Sequence, residues 1–226
     1  MKFTYYGHSC FSIETGGKTL LFDPFITGNE LAKHIDVSKI KADYILISHA
    51  HSDHTADVEF IAKNTGAKII SNFEIVSYYE AKGFHGHPMN FGGKWNFDFG
   101  VVKYVQALHS SSFGDGTYGG EPGGFIITSN GKTVYYAGDT ALFSDMQLFG
   151  RLHAINWAIL PVGDNFTMDA QQAAVASSML NCDKVIGVHY DTFGFIKIDH
   201  EASKQLFAVE GKELHLVPIG NSLNLE

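Results

Sequence analysis

The stretch that most strongly indicates the fold and chemistry of this chain is Tyr44-Ile45-Leu46-Ile47-Ser48-His49-Ala50-His51-Ser52-Asp53-His54. Its first half is a short apolar run, typical of a buried strand rather than a helix. Its second half places four potential metal ligands where that strand gives way to a helix. At this chain's composition, the pattern H-x-H-x-D-H arises by chance with a probability of about 0.002. We interpret it as a metal-binding motif, against the alternative of a solvated histidine-rich turn.

The spacing of these four residues predicts two metal ions rather than one. Alternate residues of an extended segment point the same way, so His49 and His51 can share one ion. Asp53 and His54 begin the next turn and face elsewhere, so they can serve a second ion about 3.5 to 4 Å away. Each ion then needs further ligands from later in the chain.

Three later residues follow predicted strands and are candidates for those ligands. His109 follows VKYVQAL, Asp139 follows TVYYAG and His189 follows KVIGV, and loops at strand ends are where folds present functional side chains. Each has an ordinary alternative: an exposed histidine for His109, a helix N-cap for Asp139, and a buried, hydrogen-bonded histidine for His189. Given the first motif, we assign His109 to the first ion and His189 to the second. The carboxylate of Asp139 is our candidate bridge between them.

Two other polar residues are candidates for supporting roles. Asp23, which ends KTLLFD, could hold a ligating histidine in one tautomer, or it could simply form an Asp-Pro turn. His8 could support the ligands or transfer protons, or it could be structural. Ser110, Ser111, Ser112, Glu121 and Asn165-Phe166-Thr167-Met168 are candidates to line the pocket, since they follow strand ends, although for the three serines an ordinary loop is the default interpretation. The remaining histidines are predicted at the surface: His34, His85, His87, His153, His200 and His215.

The rest of the chain interleaves strands and helices. KFTYY, CFSIET and KTLLFD predict a β-meander, and FIITS and TVYYAG predict a hairpin through Asn130-Gly131. Helical segments are predicted from about Asp53 to Gly66 and at FEIVSYYEAKG, AQQAAVASSML and HEASKQLFAV, with ELHLVP as the last strand. No linker or repeat divides these pieces. We therefore expect residues 1–226 to form a single α/β domain with sheets sandwiched between helices.

Composition excludes several classes of protein. The net charge of −8 over 226 residues argues against binding nucleic acid through general electrostatics. No apolar run reaches the roughly 18 residues of a membrane span. The two cysteines are far apart in sequence, and the amino terminus has no long apolar segment, so a cytoplasmic location is the simplest expectation.

The order HAHSDH, His109, Gly138-Asp139-Thr140 and Gly187-Val188-His189 resembles the metallo-β-lactamase superfamily. More narrowly, MKFTYYGHSCF, LLFDPF, GGEPGGF, YYAGDT, LPVGDNFTMD and GVHYDTF resemble small prokaryotic metal-dependent hydrolases similar to the ascorbate-6-phosphate lactonase group. The resemblance implies a four-layer αββα sandwich with the metals at one edge between the sheets. It also implies the two ligand sets proposed above, bridged by Asp139. Neither cysteine falls at a motif position where some relatives use a thiolate.

The expected activity is hydrolysis of a small ester, lactone or phosphoester by a metal-bridging hydroxide. Asp53, Asp139 and His8 are the candidate catalytic residues. Zinc is the expected metal, and manganese, iron or nickel suit the same donors. The alternatives are a di-iron redox protein or a metal-loaded binding protein on the same fold. We expect a small-molecule substrate that could be anionic and neither a nucleic-acid nor a membrane partner; a homo-oligomer is compatible with the sequence.

Overall fold

Fourteen β-strands and six α-helices are found in the computed structural model, which describes residues 1–226. The strands are β1 Lys2–Gly7, β2 Cys10–Thr15, β3 Lys18–Phe22, β4 Tyr44–Leu46, β5 Lys68–Asn72, β6 Gly86–Met89, β7 Lys94–Phe97, β8 Gly100–Gln106, β9 Gly123–Ser129, β10 Lys132–Tyr136, β11 Trp157–Pro161, β12 Lys184–Val188, β13 Glu213–His215 and β14 Ser222–Asn224. The helices are α1 Ser52–Thr55, α2 Val58–Thr65, α3 Phe73–Glu80, α4 Met146–Leu152, α5 Ala170–Met179 and α6 His200–Val209. Short 3-10 helices cover Glu30–Ala32, Val37–Lys39 and Gly194–Ile196.

The strands form two mixed sheets of seven. Their orders are β14-β1-β2-β3-β4-β5-β6 and β13-β12-β11-β10-β9-β8-β7. Strands β1 to β3 are the antiparallel meander expected from the sequence, and β3 to β6 continue in parallel. In the second sheet β7 to β10 are antiparallel and β10 to β13 are parallel.

The burial of β4 shows how the layers are arranged. Leu46 belongs to the core between the sheets, where Phe11 of the first sheet meets Tyr136 of the second with ring centroids 4.9 Å apart. Ile45 and Ile47 belong to a second apolar cluster beneath α2 and α3. Because successive strand residues point to opposite faces, one short run serves both layers. The helices on the outer faces of both sheets complete the αββα sandwich, so the predicted fold is confirmed.

Most predicted elements are found, with two strands missed. Strand β14 pairs antiparallel with β1, and β6 lies at the other edge of that sheet, beside β5. Ser-Leu-Asn is too short to show a period, and Gly-His-Pro-Met contains Pro88, which a strand tolerates mainly at a sheet edge. Helix α2 ends at Gly66, whose φ is +73°, as its sequence predicts. The single helical segment predicted from about Asp53 is divided, because Ala56 and Asp57 separate α1 from α2. No helix of the structure is both long and apolar enough to cross a bilayer.

Candidate metal centre

Three histidines from two strand ends form the first cluster. His49 and His51 follow β4, and His49 Nε2 lies 2.9 Å from His51 Nδ1. His109 follows β8, with its ring centroid 5.0 Å from that of His49 and 5.1 Å from that of His51. Each of the three offers a nitrogen within 4.8 Å of the other two. The structure thus places together the three residues that the sequence assigned to the first ion.

A second cluster contains Asp53, His54, His189 and His8. One donor atom from each lies within 4.8 Å of the others. Asp53 Oδ2 is 3.9 Å from His54 Nε2 and 4.0 Å from His189 Nε2. Asp53 and His54 lie on α1, and His189 follows β12 with a left-handed φ of +57°. These positions match the residues assigned to the second ion, with His8 beside them.

Asp139 lies between the two clusters. Its Oδ2 is 3.9 Å from His49 Nε2 and 3.7 Å from His109 Nε2 in the first cluster. In the second cluster it is 3.2 Å from His54 Nε2 and 2.9 Å from His189 Nε2. The alternative role of helix N-cap is wrong, because α4 begins after Asp145. The carboxylate is therefore where a group bridging two cations would be.

The unpaired atoms at this centre fit metal ions. His54 Nε2 and Asp139 Oδ1 are buried and form no hydrogen bond, an arrangement that is costly unless another group satisfies them. Imidazole nitrogens and carboxylate oxygens are the donors that zinc and neighbouring divalent ions accept. Both cysteines are buried and belong to neither cluster. The residues present thus suit divalent cations bound without thiolate.

Asp23 supports the ligands from beneath. Its Oδ2 accepts hydrogen bonds from Ser48 Oγ at 2.5 Å, Tyr136 OH at 2.5 Å and His54 Nδ1 at 2.8 Å. Since the single Ser48 hydroxyl proton goes to Asp23, Ser48 Oγ must accept from His49 Nδ1, which is 3.0 Å away. Both histidines are therefore held with Nε2 directed at the centre. The supporting contact predicted for Asp23 is confirmed, whereas the part played by Tyr136 was missed.

His8 lies in the turn between β1 and β2, with a left-handed φ of +56° and 1% exposure. Its Nε2 is 3.1 Å from Asp53 Oδ2, and its Nδ1 is 3.1 Å from Thr192 Oγ1. Its carbonyl accepts from the His189 backbone N–H at 2.8 Å. Burial, with the neighbouring His189, lowers the pKa of His8 to about 4, so it is neutral at physiological pH. His8 thus contacts the second cluster without occupying a solvent-exposed loop position.

Comparison with known proteins places this geometry in a family. A β-lactamase superfamily domain matches residues 2–189. A UPF0173 metal-dependent hydrolase of Flavobacterium johnsoniae is 58% identical over 225 residues, covering 100% of both chains. One from Christiangramia forsetii is 56% identical over 226 residues, again covering 100% of both. The chain belongs to this family of metal-dependent hydrolases. Among solved structures, a metallo hydrolase from the archaeon Ignicoccus hospitalis is 38% identical with a TM-score of 0.89, covering 98% of this chain and 97% of that one.

The electrostatics of this metal-dependent hydrolase suit cation binding. Burial lowers the pKa of His49 well below the ordinary imidazole value and also lowers those of His51 and His109, which favours neutral nitrogens with a free lone pair. Burial acts against the charge of Asp139, but His189 and His54 outweigh it and hold the pKa of this carboxyl well below its usual range. The first cluster is therefore a set of neutral nitrogens beside an ionised carboxylate. Burial opposes the charge of His54, but Asp139 and Asp23 outweigh it and raise the pKa of His54 well above its usual range, so a cation bound there would take the place of the His54 proton.

An open cavity of about 910 Å³ lies over the centre. Its lining includes Ser110 and Phe166, as the sequence predicted, and also Thr192, Phe25, Phe193 and Phe195, which it missed. The last three follow strand ends or lie in the loop after His189, so their placement could have been suspected from the rule applied to the ligands.

Several predicted lining residues serve the loop backbone and do not line the cavity. Ser111 Oγ donates to the Gly119 carbonyl at 3.0 Å and accepts from the Ala50 backbone N–H at 3.2 Å. Glu121 accepts from Tyr118 OH at 2.8 Å. Ser112 forms a β-bridge with Tyr118, and of Asn165, Phe166, Thr167 and Met168 only Phe166 lines the cavity. The histidines predicted at the surface, His34, His85, His87, His153, His200 and His215, are all at least partly exposed.

Proposed function

We propose that this chain is a binuclear hydrolase that cleaves a small ester, lactone or phosphoester. The observation that carries the proposal is the pair of clusters with the Asp139 carboxylate between them. His49, His51 and His109 would hold one ion, and Asp53, His54 and His189 the other, with Asp139 between them. Zinc is the metal we propose first, because structural and catalytic zinc sites favour imidazole, while manganese, iron and nickel accept the same donors.

Divalent ions bound there would supply an activated water at neutral pH and polarise the scissile oxygen. The chain's own residues position the reactants. Asp139 Oδ1 is buried without a hydrogen-bond partner and can accept a proton-bearing group at the centre. Asp53 is 25% exposed at its side chain, in contrast to the buried Asp139, so it faces both the second cluster and the cavity. These two carboxylates are therefore our candidates for orienting the attacking water.

His8 is our candidate for handling a proton at the leaving group. Burial raises the pKa of Asp53, but His54 and His8 lower it by more. Asp53 is therefore ionised and can only accept hydrogen bonds. The neutral His8 then carries its proton on Nε2, toward Asp53 and the second cluster. A departing oxygen would take this proton while Nδ1 regains one through Thr192 Oγ1, which lies 3.1 Å away and lines the cavity, so that the ring stays neutral.

Metal analysis tests the proposal first. Protein purified without added metal or chelator is assayed by plasma mass spectrometry, and the metal-loaded protein is then tested on lactones, aryl esters and phosphodiesters. We expect about two equivalents of zinc or manganese per chain and turnover of at least one class. Two equivalents of iron would favour the redox alternative. Full occupancy with no turnover on any class would favour a metal-loaded binding protein, and no metal after reconstitution would refute the centre.

The proposed setting is a cytoplasm and a small-molecule substrate. Both cysteines are free, which suits a reducing compartment. The net charge of −8 and the absence of lysine and arginine from the cavity lining give a nucleic acid no electrostatic hold. Fractionation of the native cells and retention on immobilised nucleic acid would test these two expectations.

A further inference from the structure

We propose that the substrate presents a flat apolar group, without a negative charge, to an aromatic rim made of Phe25, Phe166, Phe193 and Phe195. The inference rests on the proposed function, since it names the substrate class of the same site. It is carried by the placement, exposure and bracing of these four rings and by the charges of the cavity lining.

Two of the rings form the inner part of the rim. Phe25 and Phe193 have centroids 6.2 Å apart, and each meets the His8 ring edge to face, at 5.4 Å and 5.3 Å. Both rings line the cavity beside the second cluster. A planar group attached next to the scissile bond would reach these ring faces and edges while the bond lies at the metals.

The other two rings form the outer part of the rim. Phe166 and Phe195 have centroids 6.4 Å apart at an interplanar angle of 81°. They are 51% and 78% exposed, among the most exposed aromatic side chains of the protein. Exposed apolar surface that is contiguous with a cavity marks a ligand-binding groove more often than a chance feature. These rings gain little from the core, so their placement is better explained by a ligand.

The backbone holds the outer rings in position. Around Phe166, a β-bridge joins Gly163 to Asp169, and the Met168 backbone N–H donates to the Thr140 carbonyl beside Asp139. The turn is tight, with left-handed φ values of +63° at Asp164 and +49° at Asn165, a conformation that Asp and Asn tolerate.

The loop that carries Phe195 is braced in a similar way. The Asp191 backbone N–H donates to the Ile196 carbonyl at 2.7 Å, and Asp191 Oδ1 accepts from the Ile198 backbone N–H at 3.1 Å. Ile196 itself is fully buried. The chain thus anchors the residue after Phe195 and leaves the ring in solvent, which indicates a preformed wall and not a random surface side chain.

The charges of the lining argue against an anionic substituent. No lysine or arginine lines the cavity, while Asp53 and Asp139 do. Sites that recognise phosphate or carboxylate normally supply arginine, lysine or several backbone donors. The anionic substrate considered in the sequence analysis would be bound by the metals alone. A substrate that carries a neutral apolar group beside its scissile bond uses both the metals and the rim.

Two metal-chelating probes test the rim without any turnover. Acetohydroxamate and benzohydroxamate share the chelating group and differ by a phenyl ring, and their affinities for the metal-loaded protein are measured by calorimetry. We expect benzohydroxamate to bind about tenfold more tightly. In the double variant Phe166→Ala/Phe195→Ala this preference should fall to about threefold or less. Phe73→Ala is the matched control, because Phe73 is 59% exposed and outside the cavity, and it should keep the full preference.

Three lactones that share one ring test how the charge of the substituent affects turnover: one is unsubstituted, one bears a phenyl group and one bears a carboxylate. We expect kcat/KM to be about tenfold higher for γ-phenyl-γ-butyrolactone than for γ-butyrolactone, and lowest for the ring that bears a carboxylate. Phe195→Arg should raise the rate on the carboxylate lactone and lower that on the phenyl lactone.

Equal affinity for the two hydroxamates, a preference that survives in the double variant, or fastest turnover of the carboxylate lactone would overturn the inference. If no lactone, ester or phosphodiester is hydrolysed but the hydroxamate preference holds and depends on Phe166 and Phe195, the proposed hydrolysis fails while the ligand class stands. Absence of turnover together with loss of the hydroxamate preference would refute both the proposed hydrolysis and the proposed ligand class.

Discussion

His49, His54 and Asp139 are no more than 2% exposed, whereas Phe166 and Phe195, at the rim of the same cavity, are 51% and 78% exposed. The metal-facing residues follow strands whose positions are determined by sheet pairing and are supported from below by Asp23. The rim residues lie on loops held by a few backbone hydrogen bonds. Under the proposed function, reactivity would reside in the buried part of the fold and substrate choice in the exposed rim.

The largest effect is expected from the substitution that removes the carboxylate between the two clusters. Asp139→Ala should lower metal content below two equivalents and reduce turnover on the order of 1000-fold, because four imidazoles lose their shared anionic partner. Metal analysis and kinetics on the same preparation measure this, with circular dichroism to confirm folding. Asp145→Ala is the control, since Asp145 is exposed at the start of α4. Full activity in Asp139→Ala would remove the bridging role.

A smaller effect is expected at Asp23, which hydrogen-bonds to the proposed ligand His54 and to Ser48. Asp23→Asn replaces the acceptor of three side-chain donors and should weaken metal binding about 10- to 100-fold, because His49 and His54 are no longer held with Nε2 toward the centre. Competition with a calibrated chelator measures the affinity. Asp43→Asn, at a largely exposed carboxylate that accepts from the Thr19 backbone N–H, should leave it unchanged. Equal metal affinity in both variants would show that Asp23 is only structural.

A variant that loosens the loop of the rim residue Phe25 should separate substrate affinity from metal binding. Asp57 is 3% exposed and accepts from the Ile26 and Thr27 backbone N–H groups at 2.6 Å and 2.9 Å, so it holds the loop that carries Phe25. Asp57→Ala leaves these donors unpaired and should lower the free energy of unfolding by about 1–3 kcal/mol. Benzohydroxamate affinity should fall several-fold with metal content unchanged.

Thermal unfolding and calorimetry provide these two measurements. Asp36→Ala is the matched control, because Asp36 makes similar turn hydrogen bonds to Ser38 at an exposed site. A fall in metal content together with probe affinity in Asp57→Ala would contradict the prediction that the metal centre and the rim can be changed independently.

The smallest effect is expected farther from the metals. His200 Nε2 lies 2.7 Å from Asp191 Oδ2 in a partly exposed contact, and exposed polar pairs contribute about 1 kcal/mol at most. His200→Ala should therefore keep full metal content and change turnover less than twofold. A tenfold loss of turnover would mean that the loop containing Asp191 affects the metal centre more strongly than its backbone hydrogen bonds suggest.

Local sequence patterns were sufficient for much of the fold. Strand β2 and helix α6 have the predicted bounds, Cys10–Thr15 and His200–Val209. The six-residue motif after β4 and the three later strand ends were enough to name the residues of both clusters. These features depend on hydrophobic period, turn residues and metal-ligand chemistry, all of which are readable over a few neighbouring positions.

Other features were decided only by tertiary structure, because they depend on pairs far apart in the chain. Tyr136 reaches Asp23 across 113 positions, β14 pairs with β1 from the opposite end of the chain, and Phe25 meets Phe193 beside His8. Ser111 and Phe166 occupy similar sequence settings, yet one bonds to its own loop and the other lines the cavity. The sequence by itself determined the chemistry of the ligands, since that lies in the residue types. The packing of distant loops determined the rim that faces the substrate, since no local pattern specifies which loops meet.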